Sequence, residues 1–215
     1  MPEENLKPAL RRALQVHEIG DETPYRLFFA AKGKSGASFG FMQGDLAGKQ
    51  PVVQRTFHEV LSADGVSEAL INDYARRLSV HLVRNPLTAA ETNQINAALR
   101  AHSARVDAMD DAILSDVYAG LDKCVATAKN ARRTILPIAQ LFIAMWINMS
   151  GPPSKILSWL AGEDAQLRSP VPAPGDEVDR NAIEAYLRAT HYFTENPRNF
   201  AHIRESADAG AALLR

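Results

Sequence analysis

Apolar positions recur with helical spacing along most of the chain, and the one stretch that departs from this lies near its start. Leu6, Ala9, Leu10, Ala13, Leu14 and Val16 predict a helix that ends near Glu18, just before Gly20. Two aromatic-rich runs follow, Tyr25 to Ala30 and Ser38 to Met42, separated by Lys32-Gly33-Lys34-Ser35-Gly36. They predict a β-hairpin whose loop is longer than the two-residue type. Beyond Gly48 the pattern is helical again. Pro51 takes a first helical position before Val52, Val53, Phe57, Val60 and Leu61, and Asp64-Gly65 stops that helix. A second runs from Val66 to about Leu82. A third opens at Thr88-Ala89-Ala90-Glu91, where hydroxyl and carboxylate each satisfy an orphan backbone N–H, and runs through Leu99.

Asp107 to Ala128 forms the next amphipathic pattern, with Ile113, Leu114, Val117, Leu121, Cys124 and Val125 on its apolar face. The stretch from Leu136 to Ile147 is apolar nearly all round, the mark of a helix enclosed by others. A proline-rich segment, 166–178, cannot continue a helix and is the candidate linker. Ala182 to Phe193 and Asn199 to Leu214 are two further helical patterns. The expected fold is mainly α (α+β): a single domain over 1–215, with a small β-hairpin after the first helix and a helical bundle around a central buried helix.

Composition narrows the function classes. The apolar fraction is 46% and the charged fraction 23%, which suits a globular core rather than disorder or a coiled coil. With 24 Lys and Arg against 25 Asp and Glu, and no long basic block, nucleic acid is not expected as a partner. The apolar stretch from Ile135 to Met149, interrupted by Pro137 and Gln140, falls short of the roughly 20 residues of a membrane span. Met1 to Arg12 carries charges at Glu3, Glu4, Lys7, Arg11 and Arg12 instead of the apolar core of a secretory signal. The expected routes to an extracytoplasmic substrate are therefore phage-type release, specialised secretion or another periplasmic delivery. The single Cys124 lies in a helical pattern and reads as a buried thiol.

Chemistry concentrates around Glu18. A carboxylate at the end of a helix, followed by an aromatic hairpin, suits cleavage of a glycosidic bond, which needs an acid held protonated beside a wall that grips the sugar chain. Burial against aromatic residues raises a carboxyl pKa by disfavouring the charged form. Phe28, Phe39 and Phe41 are the aromatic residues at hand.

The same residues carry a family resemblance. Glu18 followed by Gly36-Ala37-Ser38-Phe39-Gly40-Phe41-Met42-Gln43 resembles the lysozyme and soluble lytic transglycosylase superfamily of peptidoglycan glycosidases. Ile147-Asn148-Met149-Ser150-Gly151-Pro152 resembles that superfamily's Y-N-A-G-P element after the central helix, and the region of Tyr192 its late tyrosine-bearing helix. The resemblance spans about Leu6 to Arg204. It implies Glu18 as general acid, Ser38, Phe41, Met42 and Gln43 along the substrate cleft, Asn148 holding the bound glycan or the glutamate, and Tyr192 as a further substrate contact. It also implies a peptidoglycan or related amino-sugar polymer as partner. Two positions depart from the pattern: Ile147 stands where a tyrosine is usual, and Ile19 where a serine often follows the glutamate. Muramidases, chitosanases and chitinases therefore stay beside the lytic transglycosylases, as does a catalytically silent glycan-binding module.

A second carboxylate decides the chemistry. Inversion needs a base roughly 6.5–9.5 Å from the acid, retention a nucleophile roughly 5–5.5 Å away, and lytic transglycosylation none, because the sugar's own hydroxyl attacks. Asp21, Glu22 and Asp45 are the candidates, with Asp45 favoured for its place after the second strand. His17 reads as a core or solvated histidine, because no second His or Cys stands at metal-ligand spacing. No metal or other cofactor is expected. Trp146 and Trp159 read as core, and Asn148 equally as a helix-terminal cap or a site residue.

Overall fold

The computed structural model describes residues 5–29, 35–82, 84–150, 154–163 and 169–214. Helices make up 67% of it, ten among the described residues, beside a small three-stranded sheet. Two compact units emerge, one of residues 1–17 with 116–215, the other of residues 18–115. The boundaries fall within α1 (Leu6–Ile19) and α5 (Ser103–Asn130) and not in the proline-rich segment.

In the unit of residues 18–115, β1 (Phe28–Phe29), β2 (Ala37–Phe39) and β3 (Gly44–Asp45) form an antiparallel sheet in that order. Phe28 lies opposite Ser38, and Ser38 opposite Asp45. The hairpin read from the sequence is β1–β2; the third strand escaped the reading because two residues cannot declare a period of two. The connection read at Lys32 to Lys34 lies outside the described residues. Helices α2 (Pro51–Ala63), α3 (Glu68–Leu78) and α4 (Ala89–Ala101) complete this unit with the first part of α5. Its core joins Phe39 of the sheet to Phe57 of α2, ring centroids 6.0 Å apart, and to Tyr74, Ile95, Val106 and Met109. The capping box forms as read: Thr88 Oγ1 accepts from Glu91 N, and Glu91 Oε2 accepts from Thr88 N at 2.7 Å.

In the other unit, α6 (Pro137–Ser150) buries Ala139 and the whole run Leu141 to Met145. It packs against α8 (Arg180–Ala189) and α10 (Pro197–Ala211), so an all-round apolar helix is here an enclosed one. The short α7 (Ser154–Ala161), absent from the sequence reading, buries Trp159 against Tyr186 with centroids 4.6 Å apart. The pattern read as one helix over Ala182 to Phe193 is two, α8 and α9 (His191–Glu195), because Thr190 adopts an extended ψ of 145°. The described part of the proline-rich segment is tied down instead of serving as a linker. Pro172 O accepts from Arg133 Nε at 2.6 Å, and Glu177–Val178 (β5) pairs in parallel with Thr134–Ile135 (β4). Among the described residues no helix is long and apolar enough to cross a membrane.

Candidate functional site

Glu18 is the penultimate residue of α1 and is half-buried. Gly20 ends the helix with φ +61°, a left-handed conformation that a side chain would strain. A helix leaves its last four carbonyls without an internal donor. Three of them find partners close by. Glu22 N donates to Ile19 O at 3.1 Å, Gln43 Nε2 donates to Glu18 O at 2.6 Å, and His202 Nε2 lies 2.8 Å from His17 O. The Gln43 bond joins the helix-terminal glutamate to a glutamine 25 positions later, two of the residues expected at the site.

Gln43 belongs to the four-residue turn Gly40 to Gln43 between β2 and β3. Gly40 N donates to Pro24 O at 2.9 Å and Gln43 N to Gly40 O at 3.2 Å. Gly40 has φ +80°, and Gln43 reaches φ +48°, uncommon for a residue with a Cβ. The turn rests on Asp110 of α5, a fully buried carboxylate that accepts from Phe41 N at 2.9 Å and Met42 N at 3.1 Å. Sequence reasoning passed over Asp110. Its signal is an acid at helical spacing with Val106, Ile113, Leu114 and Val117, on the apolar side of the helix.

The other predicted site residues divide between the two units. Ser38, Phe41 and Met42 are buried in strand and turn, Ser38 between Phe28 and Asp45 in the sheet register. Phe39, offered as a wall for the acid, is spent on the core against Phe57. Asp45 Oδ1 accepts from Gly36 N at 2.9 Å and Ala47 N at 2.8 Å, so this carboxylate organises the strand ends. Asn148 and Tyr192 belong to the other unit, on α6 and α9. Tyr192 is exposed, its ring 6.0 Å from that of Trp146, and its hydroxyl accepts from Asn199 Nδ2 at 2.7 Å. Tyr25 OH donates to the Asp107 carboxylate at 3.2 Å. The element read as Ser150-Gly151-Pro152 lies outside the described residues beyond Ser150.

His17 stacks on His202, centroids 4.8 Å apart at 25°. Burial, with a smaller contribution from His202, holds its imidazole down at about 4, and its Nδ1 has no hydrogen-bond partner among the described residues. It is a neutral, packed ring near neutrality. Among the described residues no group of three or more His, Cys, Asp or Glu is arranged to hold a metal ion. A cavity of about 410 Å³ opens in the unit of residues 1–17 and 116–215, among Leu10, Tyr118, Leu121 and Val125 with Lys7 and Asp122; none of the predicted site residues lines it.

Comparison with known proteins adds no relative: no protein family, no curated protein and no solved structure matches this chain.

Proposed function

We propose that this chain cleaves the glycan strands of peptidoglycan or a related amino-sugar polymer, on a lysozyme-like fold, with Glu18 donating the proton to the glycosidic oxygen. The hydrogen bond from Gln43 Nε2 to Glu18 O carries the reading. It ties the helix-terminal glutamate to the Gly40 to Gln43 turn, two of the segments on which the resemblance rests. In this reading Gln43 belongs to the substrate wall, on the turn that the buried Phe41 and Met42 shape, with the buried Ser38 beside them in the sheet.

Asp45 bears on the fate of the cleaved sugar. One of its oxygens is taken by two backbone N–H groups, which favours a reaction that needs no second carboxylate. The reaction is then lytic: Glu18 protonates the leaving oxygen as the glycosidic C–O bond breaks, and the sugar's own hydroxyl bonds to the anomeric carbon, giving its proton to the Glu18 carboxylate and restoring the acid. The test is clearing of purified bacterial sacculi, with mass spectrometry of the released fragments. Clearing that is lost in Glu18→Gln, with 1,6-anhydro sugar ends, supports the lytic reading. Reducing ends retain Glu18 and return a hydrolase, and clearing unchanged in Glu18→Gln refutes the assignment.

A further inference from the structure

The Asp110 carboxylate has no part in the proposed chemistry, yet it is wholly buried on α5 beside Val106 and Met109. An aliphatic side chain there would need no hydrogen-bond partners, whereas a buried carboxylate must be satisfied. Its two oxygens take separate donors, Oδ2 from Phe41 N and Oδ1 from Met42 N. Successive backbone N–H groups converging on a carboxylate fix the peptide planes between them. Gly40 completes the seat. A Cβ on Gly40 would fall against the Asp110 carboxylate and 2.8 Å from Met109 Cε. Gln43, directly after the two seated residues, takes φ +48° and from there sends its amide to Glu18 O.

We infer that Asp110 is a positioning residue for Glu18: by seating the Phe41 and Met42 amides it holds Gln43 in the left-handed conformation from which its side chain clamps the last turn of α1. The link to catalysis rests on Glu18 being the acid; the clamp itself does not. Asp110→Asn keeps the shape and turns one acceptor into an NH2 group facing a backbone donor. Two readouts follow. Solvent exchange of the Gln43 side-chain amide, followed by NMR, speeds up about tenfold or more in Asp110→Asn. On soluble glycan strands kcat falls about ten- to a hundredfold with KM nearly constant, the pattern expected when a reacting group is slightly misplaced. In a Gln43→Ala background, Asp110→Asn lowers kcat by less than about twofold further, because the route through Gln43 is already cut.

Fully additive losses in kcat overturn the inference, since a merely structural aspartate acts whether or not Gln43 is present. Unchanged protection of the Gln43 amide overturns it at any level of activity. If the wild-type chain cleaves no glycan, the proposed function falls, and amide exchange alone still decides the clamp. Should Asp110→Asn fail to fold, Gly40→Ala strikes the same contact from the turn, and a Gln43 amide still protected in that variant refutes the seating.

Discussion

Acidification tests the packing of His17 more sharply than any truncation. The ring is half-buried, stacked on His202, and held down at about 4 against an ordinary 6.5, chiefly by burial. A depressed histidine means that between these values the unfolded chain binds a proton that the folded chain refuses. Stability from this group is therefore complete above pH 6.5, falls as the pH drops through that window, and reaches its floor below about 4. At about 1.36 kcal/mol per pH unit the window corresponds to about 3 kcal/mol. Partial hydration of the half-buried ring brings the expectation to about 2 kcal/mol. The assay is urea unfolding at pH 7.5 and pH 4 of wild type and of His17→Phe, which preserves an aromatic ring against His202 and cannot titrate. Wild type is expected to lose about 2 kcal/mol more than the variant across that change. Parallel losses in the two proteins, or an NMR titration midpoint for His17 above 6, would refute the reasoning.

Other tests reach different parts of the molecule. A Cβ at Gly210 would lie 2.5 Å from Ala9 O and 2.8 Å from Ala13 Cβ, so Gly210→Ala forces α10 from α1. It is expected to cost about 1–3 kcal/mol by overpacking, read as a lower thermal midpoint. Thr88→Ala removes the hydroxyl half of the capping box and should cost about 1 kcal/mol in denaturant titration, with an unchanged m-value. Burial pushes the Cys124 thiol up to about 12, so a disulfide thiol reagent at pH 8 should leave the folded chain unmodified and label it on unfolding.

Most of the helical frame was legible in the sequence because helices write themselves locally. The 3.6-residue spacing in α1, Pro51 at the start of α2, Thr88 with Glu91 at the start of α4 and the all-apolar face of α6 each follow from residues within a few positions of one another. Pairing between distant segments is not written that way. The strands β3, β4 and β5 are two residues long and exist through their partners, and α8 parts from α9 at a single extended residue, Thr190.

Residue type and order make Glu18 and Gln43 candidates, but their hydrogen bond is not legible there, because it depends on a turn whose conformation is held from α5. The same cause separates Asp45 from Asp110. Both are single aspartates in the sequence. Only the tertiary structure decides that Asp45 spends an oxygen on the strand ends. Only the fold, likewise, buries Asp110 beneath Phe41 and Met42, since a carboxylate's role is set by which donors reach it and how much water remains.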